Sequence, residues 1–385
     1  MNNPETMQPE NRDIMIVAGE ASGDLHGAHL VRAMLDANPD LRFYGVGGEK
    51  MKEAGVSLIA HSSEMAVMGL TEVLPRLGFI LKVKRELKKS LRQSRPALLI
   101  LIDYPGFNLS LAKFAKENNI KVFYYISPKL WAWRKKRIYD LEKYVDRMAL
   151  ILPFEKQVYE EVHLDTRFVG NPLLDTVKRH YTRTEALEMF GLKDGIKTIA
   201  LLPGSRKGEV VRLLPEMLGM AEILRDRFPA VQFVLPLADT LSFDFVHGLA
   251  DRKGIDITII KGNVYDAVGL SDIAVVASGT ATLETALLGV PMIIVYKVSP
   301  LTYLIGRFVV TIQHIGLVNI IAGETIVPEL IQHDANPEKM AGEVYDILTS
   351  APRMDEMKNN LFNVSTMLGS PGASVRAARL ACEMI

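Results

Sequence analysis

Short runs of aliphatic and β-branched residues alternate with longer amphipathic segments from one end of the chain to the other. A strand buried on both faces of a parallel sheet reads as a continuous apolar run, and amphipathic segments between such runs are typical of crossover helices. Ten runs predict strands, at residues 14–18, 42–46, 98–102, 122–126, 148–152, 198–202, 232–235, 257–260, 273–277 and 292–296. This alternation predicts an α/β protein built from parallel, doubly wound sheets.

A polar stretch with a helical pattern and no strand, residues 172–195, separates two halves of similar architecture. We place the interdomain hinge there, so that residues 1–175 form an N-terminal domain and residues 176–350 a C-terminal domain. The last segment, residues 351–385, is expected to be helical and to cross back to the first domain. Two such domains facing a central cleft bind their ligand at the carboxyl ends of the strands.

Composition mainly excludes classes of protein. The 385 residues, 48% hydrophobic and 23% charged, are enough for two folded domains with a core each. Lys+Arg and Asp+Glu both number 45, so no global field indicates a nucleic-acid partner. The single cysteine, Cys382, allows no intrachain disulfide and fits a reducing compartment.

Targeting signals are also missing from the pattern. The first thirteen residues lack the apolar core of a signal peptide, and no run of 18 uncharged apolar residues appears. We therefore expect a cytoplasmic protein without a transmembrane helix.

The loop after the run at residues 273–277 is the sharpest candidate binding element. Ser278, Gly279 and Thr280 are small and open a helix, whose free backbone N–H groups and partial positive charge suit a diphosphate. Glu284 lies one turn into this helix and could accept hydrogen bonds from ribose hydroxyls. A plain helix with a glutamate favoured by the helix dipole explains the same residues equally well.

Arg206 follows the run at residues 198–202, in the motif LPGSRKGEV. A guanidinium at the carboxyl end of a strand could neutralise the charge that builds on a departing diphosphate. Taken alone, a solvated arginine on a loop is the more common explanation. A second phosphate-compatible loop in the same sheet favours the functional interpretation.

The first strand-to-helix loop, in MIVAGEASGDLHGAHL, has glycines that do not fit the dinucleotide fingerprint G-x-G-x-x-G. Glu20 and Asp24 would repel a phosphate, so a sugar rich in hydroxyls suits this loop better. Ser22 is a further candidate sugar ligand. Alternatively, Ser22 or Asp24 caps the next helix.

Asp103 ends the apolar run of ALLILIDYPGF and is followed by Tyr104 and Pro105. A carboxylate at the end of a strand in a cleft is a good general base, able to take a proton from an attacking hydroxyl. A capping aspartate in the turn before Pro105 is an equally good interpretation. No Asp-x-Asp pair occurs, and His26 and His29 have no third ligand nearby, so we expect no metal site.

Residues 65–81 are apolar on nearly every side of a helix, which is more than a core-facing stripe needs. A basic run, residues 82–95, follows. An apolar segment beside a basic helix is typical of proteins that hold an anionic membrane surface. The predicted membrane-facing residues are Val67, Met68, Leu70, Val73, Leu74, Leu77, Phe79 and Ile80. A buried helix followed by a solvated one explains the pattern equally well.

Several motifs together resemble one known family. Between residues 18 and 330 the chain contains, in order, AGEASGDLHGA, VMGLTEVLPRL, SPKLWAWRKKR, LPFEK, FVGNPLLD, LPGSRKGEV, SGTATLETALLGVPMIIVYK and GLVNIIAGETIVPEL. In this combination the chain is similar to the lipid A disaccharide synthases, family 19 of the glycosyltransferases. The resemblance implies a GT-B fold, with two Rossmann-like domains facing a central cleft, and an inverting transfer without metal or cofactor.

The resemblance also implies substrates and site residues. 2,3-Diacylglucosamine would pass from its UDP carrier to the 6-hydroxyl of 2,3-diacylglucosamine 1-phosphate. The site residues would be the base Asp103, the UDP-site residues Arg206, Glu284 and Asn319, and the sugar-site residues Glu20 and Ser22. From its surroundings alone, Asn319 is a lone polar residue in an apolar stretch and could equally form a turn.

Location and assembly follow from the same resemblance. It implies peripheral association with the cytoplasmic face of the inner membrane of a Gram-negative bacterium. It also implies a homodimer formed through the C-terminal segment.

Two other functions remain open. A UDP-N-acetylglucosamine 2-epimerase would share the fold and the donor site but has no use for the apolar segment 65–81. A non-catalytic nucleotide-binding or scaffold protein would not need Asp103 and Glu20 in one cleft. The transferase explains the base Asp103, the UDP loop from Ser278 to Glu284 and the apolar segment 65–81, and it is the interpretation we favour.

Overall fold

The structure is a computed structural model that describes residues 11–65, 70–131, 135–251, 254–300, 302–304 and 313–385, with backbone alone at 70–76 and 135. The chain forms two compact units. Unit 1 combines the N-terminal part of the chain, up to Pro172, with the last segment, Ser370–Ile385. Unit 2 is Leu173–Gly369. The division lies at the start of the segment in which we placed the hinge.

Thirteen strands occur in the described ranges. They are β1 Asp13–Ala18, β2 Arg42–Gly47, β3 Ser57–His61, β4 Leu98–Ile102, β5 Lys121–Tyr125, β6 Arg147–Leu150, β7 Asp165–Phe168, β8 Lys197–Leu202, β9 Val231–Leu237, β10 Thr258–Lys261, β11 Ile273–Ala277, β12 Met292–Tyr296 and β13 Glu329–Ile331. Every pairing between them is parallel.

The principal helices lie between and after these strands. They are α1 Ala21–Ala37, α2 Glu49–Glu53, α3 Ser62–Met65, α4 Leu70–Ser94, α5 Pro105–Glu117, α6 Ile138–Tyr144, α7 Glu155–Val158, α8 Leu173–Thr176, α9 Arg183–Phe190, α10 Lys207–Arg227, α11 Phe243–Asp251, α12 Val264–Gly269, α13 Thr280–Leu287, α14 Leu317–Ala322, α15 Pro337–Thr349, α16 Ala351–Met367 and α17 Ala373–Cys382. Proline opens α5 and α15, where its missing N–H costs nothing. Among the residues with a described placement, no helix is both long and apolar enough to cross a bilayer.

The sheet of unit 1 has the strand order β3-β2-β1-β4-β5-β6-β7. The chain adds strands on one side of β1 as far as β3 and then on the other side from β4 to β7, so the switch point lies between β1 and β4. Side chains alternate between its two faces because successive residues of a strand point to opposite sides. Met15 and Val17 pack in the cluster that includes α4, α5 and α6. Ile14 and Ile16 pack in the cluster that includes α1, α2 and α17. Both faces are covered, which is why β1 and β4 read as unbroken apolar runs.

Helix α17 packs against α1, within unit 1. Arg147 beside β6 holds this end of the chain by an ion pair with Glu383 at 2.7 Å and a hydrogen bond to the Leu380 carbonyl at 3.0 Å. Helix α16, in contrast, lies in unit 2 against α13 and α14. The part of the final segment that returns to unit 1 therefore begins at Ser370 rather than at residue 351.

The sheet of unit 2 has the order β10-β9-β8-β11-β12-β13, again with the switch point beside its first strand. Strand β11 is buried at every position, between β8 and β12. The three strands that sequence patterning missed are β3, β7 and β13, and each lies at the edge of a sheet. Edge strands are only partly buried, so they do not produce a continuous apolar run.

Candidate functional site

The loops after β1, β4, β5 and β6 leave the same edge of the unit 1 sheet, because these four parallel strands are neighbours. We call this set of loops, which lies at the carboxyl ends of the strands and not at an edge strand, the unit 1 edge. It carries Glu20, Asp103, Lys129 and Glu155, one from each loop. Three carboxyl groups and one ammonium group are therefore gathered by the topology of one sheet.

Asp103 directly follows β4, and its backbone is strained. The φ angles of Asp103 and Tyr104 are +41° and +49°, in the left-handed region that residues other than glycine rarely adopt. Each such residue costs on the order of 1–3 kcal/mol and persists only where the surroundings hold it. Here the Asp103 carbonyl accepts hydrogen bonds from Asn108 Nδ2 at 2.8 Å and from the Tyr124 hydroxyl. Hydrogen bonds to its backbone carbonyl thus fix the turn that carries the carboxylate.

The electrostatic surroundings make Asp103 a stronger base than an ordinary aspartate. Burial, together with the charge of Glu20, raises the pKa of its carboxyl to about 6. Lys129 and a hydrogen bond from the Tyr104 backbone act in the opposite direction on this pKa. A carboxylate with a pKa of about 6 is mostly ionised at neutral pH and still holds a proton usefully well.

Glu20 is brought to Asp103 by the packing of Tyr104. The Tyr104 ring lies against Gly19, where an added Cβ would come within 2.4 Å of the ring. The Tyr104 hydroxyl donates to the Met65 carbonyl at 3.0 Å, which fixes the ring in this place. Glu20 then precedes α1, and Ser22 is exposed in its first turn. Only a glycine at position 19 allows the loops after β1 and β4 to approach so closely.

Asp24 is engaged by backbone groups of the fold, and its role as a substrate ligand stays a prediction that this geometry does not favour. Its side chain is 6% exposed. Oδ1 accepts from the backbone N–H of Gly48 at 2.6 Å and of Met51 at 3.0 Å, and Oδ2 accepts from Lys50 at 3.2 Å. The capping alternative is the correct one, although the capped helix is α2 and not α1.

The loops after β5 and β6 contain site residues that we did not predict. Glu155 is 1% exposed and accepts hydrogen bonds from the backbone of Leu152 at 3.0 Å and Ile151 at 3.3 Å. Burial raises its pKa to about 7, although these hydrogen bonds and Lys129 lower it. The only sequence signal was a charged residue in the otherwise apolar start of LPFEK.

These two loops are also tied to one another. The Ser127 and Tyr159 hydroxyls are 2.7 Å apart and share a hydrogen bond. Ile126 has a φ of +66°, which for a β-branched residue is a clear outlier. Lys129, in the loop after β5, is exposed. It lowers the pKa of both Asp103 and Glu155, so it lies near both carboxyl groups.

In unit 2, the loops after β8, β11 and β12 form a corresponding set, which we call the unit 2 edge. Ser278 donates its hydroxyl to the Ile315 carbonyl at 2.8 Å. Gly279 precedes α13, with open space where a Cβ would be, and Thr280 is exposed in the first turn. The first N–H groups of a helix have no partner within it, so this end of α13 can receive an anion.

Glu284 lies one turn into α13, as the sequence predicts. Its Oε1 accepts a hydrogen bond from the Tyr265 hydroxyl at 3.3 Å. Burial raises the pKa of Glu284, and the hydrogen bond from Tyr265 lowers it. Tyr265 was not among our predicted site residues, and it restrains the carboxylate while leaving lone pairs for ligand hydroxyls.

Arg206 follows β8 and lies at the beginning of α10. Its guanidinium pairs with Glu209 at 2.9 Å, and its side chain is 48% exposed. Tyr296, at the end of β12, is near both: burial and Glu209 raise the Tyr296 pKa, and Arg206 lowers it. Exposed ion pairs are weak, so an anionic ligand can compete with Glu209 for the guanidinium.

Asn319 is completely buried, so its assignment to the UDP site finds no support in its exposure and stays a prediction. Its Nδ2 donates to the Val327 carbonyl at 2.9 Å and to Glu329 Oε1 at 2.8 Å. Its Oδ1 accepts from the backbone N–H of Ile326 at 2.9 Å and of Val327 at 3.1 Å. All four hydrogen-bonding positions of the amide are used, which leaves none for a ligand.

The contribution of Asn319 is indirect. Glu329, which it contacts, accepts from the backbone N–H groups of Ile315 and Gly316, both at 2.9 Å. The Ile315 carbonyl in turn accepts from Ser278. Asn319 therefore shapes the backbone that positions Ser278, and the turn-forming alternative describes it better.

The predicted membrane-facing residues are placed only in part. Val67 and Met68 lie outside the described residues, as do the side chains of Leu70, Val73 and Leu74. Leu77 is 41% exposed, and its neighbour one turn on, Leu81, is 49% exposed. Phe79 and Ile80 are partly buried and pack against the unit 1 core, so their assignment to the membrane face stays a prediction that the packing does not favour.

Among the residues with a described placement, no group of three or more His, Cys, Asp or Glu side chains is arranged to hold a metal ion. His26 is buried, and burial lowers its pKa to about 4, with a smaller effect from His29. A neutral, buried imidazole of this kind fits a packing role on α1.

The chain was compared with known proteins. A family model described as lipid-A-disaccharide synthetase matches residues 14–368. The lipid-A-disaccharide synthase of Syntrophus aciditrophicus (strain SB) is 54% identical over 375 residues, covering 97% of both chains. That of Geobacter sulfurreducens is 47% identical over 372 residues, also covering 97% of both.

Solved structures with a similar fold are distant in sequence. UDP-GlcNAc 2-epimerase from Neisseria meningitidis bound to UDP-GlcNAc has a TM-score of 0.63 at 12% identity, covering 96% of this chain and 98% of that one. The glycotransferase of kitacinnamycin has a TM-score of 0.61 at 14% identity, covering 98% and 100%. These likenesses concern the fold alone, and they confirm the predicted α/β fold of the GT-B class with two Rossmann-like units.

Proposed function

Because the chain belongs to the lipid-A-disaccharide synthase family, we propose that its unit 1 edge activates the acceptor sugar and its unit 2 edge binds the UDP of the donor. The enzyme is a glycosyltransferase, in keeping with that family. The epimerase alternative rests on structures at 12–14% identity, which carry only the fold.

The proposed donor is UDP-2,3-diacylglucosamine, and the proposed acceptor is 2,3-diacylglucosamine 1-phosphate. The acceptor 6-oxygen attacks the anomeric carbon of the donor, and a new carbon–oxygen bond forms on the face opposite the UDP. The bond to the diphosphate breaks, and UDP leaves with the electron pair. The proton of the 6-hydroxyl passes to Asp103, so that one displacement inverts the anomeric centre.

The observation that carries this assignment is the state of Asp103. A primary hydroxyl becomes a good nucleophile only while its proton is being removed. The strained turn holds the carboxylate at the edge of the sheet, and its raised pKa suits it to accept that proton. Glu20 lies beside it and can accept hydrogen bonds from sugar hydroxyls, which orients the acceptor.

The unit 2 edge supplies the positive potential that a departing diphosphate needs. Ser278, Gly279 and Thr280 open α13, and Arg206 adds a half-exposed guanidinium. Preorganised donors of this kind stabilise charge that develops in the transition state. Glu284, held by Tyr265, is positioned for the ribose hydroxyls.

Both proposed substrates carry acyl chains, so the enzyme must work where lipids are. We infer peripheral association with the cytoplasmic face of the inner membrane, supported by the exposed Leu77 and Leu81 on α4. The homodimer through the C-terminal segment stays a prediction, because in this chain α17 packs against α1 of the same unit.

The test is UDP release from diacylated UDP-glucosamine, measured with and without diacylglucosamine 1-phosphate. The synthase releases UDP and forms the disaccharide only when both substrates are present. Epimerisation of the donor without acceptor would contradict the proposal.

A further inference from the structure

Helix α4 carries a stripe of exposed or half-buried side chains that the proposed transfer does not use. Leu77 and Leu81 begin it, and Arg85, Lys88 and Arg92 continue it. These residues recur at intervals of three or four, so they follow one side of the helix over about 22 Å. An apolar end thus passes into a basic end on one helix face.

The basic end borders a groove of about 480 Å³ lined by α4 and α5. The lining residues of this basic groove are Arg85, Lys88, Lys89, Arg92, Gln93 and Phe114. Phe114 belongs to the unit 1 core and is 9% exposed, so core packing holds its ring at the bottom of the groove. Lys88 Nζ lies 4.8 Å and Arg92 Cζ 5.1 Å from the centre of that ring. Cation–π contacts therefore hold two cations side by side over one ring.

These cations are crowded together without carboxylate partners. In the described part of the chain no ion pair involves any cation of the basic groove, whereas Lys116 on α5 pairs with Asp146. Burial lowers the pKa of the adjacent Lys84, and the charge of Lys88 lowers it further. Like charges one helix turn apart destabilise a helix, so an anion in the groove would relieve an unfavourable arrangement.

We propose that the basic groove binds the phosphate of an anionic phospholipid headgroup while Leu77 and Leu81 enter the apolar region of the same leaflet. This inference rests on the membrane association proposed above and names the class of lipid that it requires. Arg92 can chelate two phosphate oxygens, and Lys88 adds a point charge beside it.

The dimensions of α4 fit this arrangement. Leu81 and Lys88 are separated by about 10 Å along the helix axis. Interfacial helices bury their apolar residues about 5–10 Å into the boundary between headgroups and acyl chains. With α4 inclined to the membrane plane and its Leu77 end toward the acyl chains, leucines at the acyl level place the groove at the level of the phosphates.

Charge complementarity and the leucines together favour a lipid over a soluble anion. A free phosphate would use the cations but leave Leu77 and Leu81 on the same stripe without a role. A nucleic acid would be attracted by an extended basic surface, whereas this chain has a net charge of zero.

The experiment compares the binding of full-length variants to two kinds of vesicle, phosphatidylcholine alone and phosphatidylcholine with phosphatidylglycerol in equal parts. Lys88→Gln with Arg92→Gln removes two charges from the groove. Lys82→Gln with Lys113→Gln is the matched control, because it removes two exposed charges from the same helix pair outside the groove. Thermal unfolding of each variant verifies the fold.

One cation at a membrane surface contributes about a fivefold increase in binding, so the groove variant should bind anionic vesicles about 25-fold more weakly than wild type. The control should stay within about threefold, and neither should differ from wild type on neutral vesicles. Transfer to detergent-solubilised acceptor should be unchanged in both, because neither pair touches the site.

Two outcomes would overturn the inference in distinguishable ways. Equal losses in the groove variant and the control would show diffuse attraction without a site, with membrane association still standing. Failure of the wild type to bind either vesicle would remove both the groove and the membrane association. Transfer between solubilised substrates would still decide the enzyme's activity separately.

Discussion

The two edges of the protein use one architecture for opposite chemistry. In unit 1, the loops after β1, β4 and β6 each bring a carboxyl group, and burial raises the pKa of Asp103 and Glu155. In unit 2, the corresponding loops bring a helix N-terminus and Arg206. Parallel sheets thus provide two equivalent positions. The residues that follow the strands suit one position to the proton transfer that we propose and the other to the proposed binding of a diphosphate.

The two edges also differ in backbone strain. Asp103, Tyr104 and Ile126 in unit 1 have left-handed φ angles without being glycine, whereas the turn before Arg206 uses Gly204, with φ of +110°. Strain that the surroundings must hold is a mark of residues whose position matters for chemistry.

The largest effect is expected from Asp103→Asn. The amide cannot accept the proton of the 6-hydroxyl, so kcat should fall by about two to four orders of magnitude. Folding should not suffer, because ionising a buried aspartate with a raised pKa destabilises the folded state at neutral pH. Unfolding by urea at pH 7 checks this point. Near-normal turnover in Asp103→Asn with an inactive Glu20→Gln would move the base to Glu20.

Arg206→Ala should reduce transfer by about a hundredfold or more, since a donor to the developing charge contributes on the order of 3 kcal/mol to lowering the barrier. Arg212→Ala is the matched control, because Arg212 lies further along α10 and bonds only the Gly208 carbonyl among its described contacts. Steady-state kinetics of both variants give the comparison. Equal rates in the two would make Arg206 an ordinary surface arginine.

The pH dependence of kcat/KM tests the unit 1 edge by an effect smaller than those of the two substitutions above. kcat/KM should fall about tenfold per unit below roughly pH 6, as Asp103 becomes protonated. Glu20 raises this pKa, so Glu20→Gln should move the acid limb to lower pH. Lys129 lowers it, so Lys129→Met should move the limb to higher pH. Shifts in the opposite directions would contradict the described surroundings of Asp103.

Asp24→Ala should change stability and leave chemistry nearly intact. Loss of the cap on α2 should cost about 1–2 kcal/mol of unfolding free energy. KM for both substrates should stay within about twofold, because the carboxylate is buried against Gly48 and Met51. Urea denaturation and kinetics together test this, and a large rise in KM without loss of stability would restore the sugar-binding role.

Sequence reasoning recovered what depends on local order along the chain. Continuous apolar runs identified the central strands, and the loops after these runs contain the candidate site residues Asp103, Arg206 and Ser278. The edge strands β3, β7 and β13 escaped because partial burial leaves no such run. The left-handed turn at Asp103 was not predictable either, since it depends on Asn108 and Tyr124 holding its carbonyl.

The assignments that the geometry does not favour share one physical cause. Asp24 and Asn319 are polar residues next to functional loops, and nothing local shows that their partners are backbone groups further along the chain. Phe79 and Ile80 were assigned to the membrane from composition, although α4 also has a core-facing side. Whether a polar or apolar residue is already satisfied by the fold is a tertiary property.

The division of labour between the two edges is tested most directly by UDP binding, measured by calorimetry on Asp103→Asn and Arg206→Ala in parallel. Asp103→Asn should bind UDP with the affinity of the wild type, although it hardly transfers. Arg206→Ala should bind UDP about tenfold or more weakly, since it loses a hydrogen-bonded charge contact worth about 1.5–3 kcal/mol. Weakened UDP binding in Asp103→Asn with normal binding in Arg206→Ala would contradict the assignment of the base to unit 1 and of the diphosphate to unit 2.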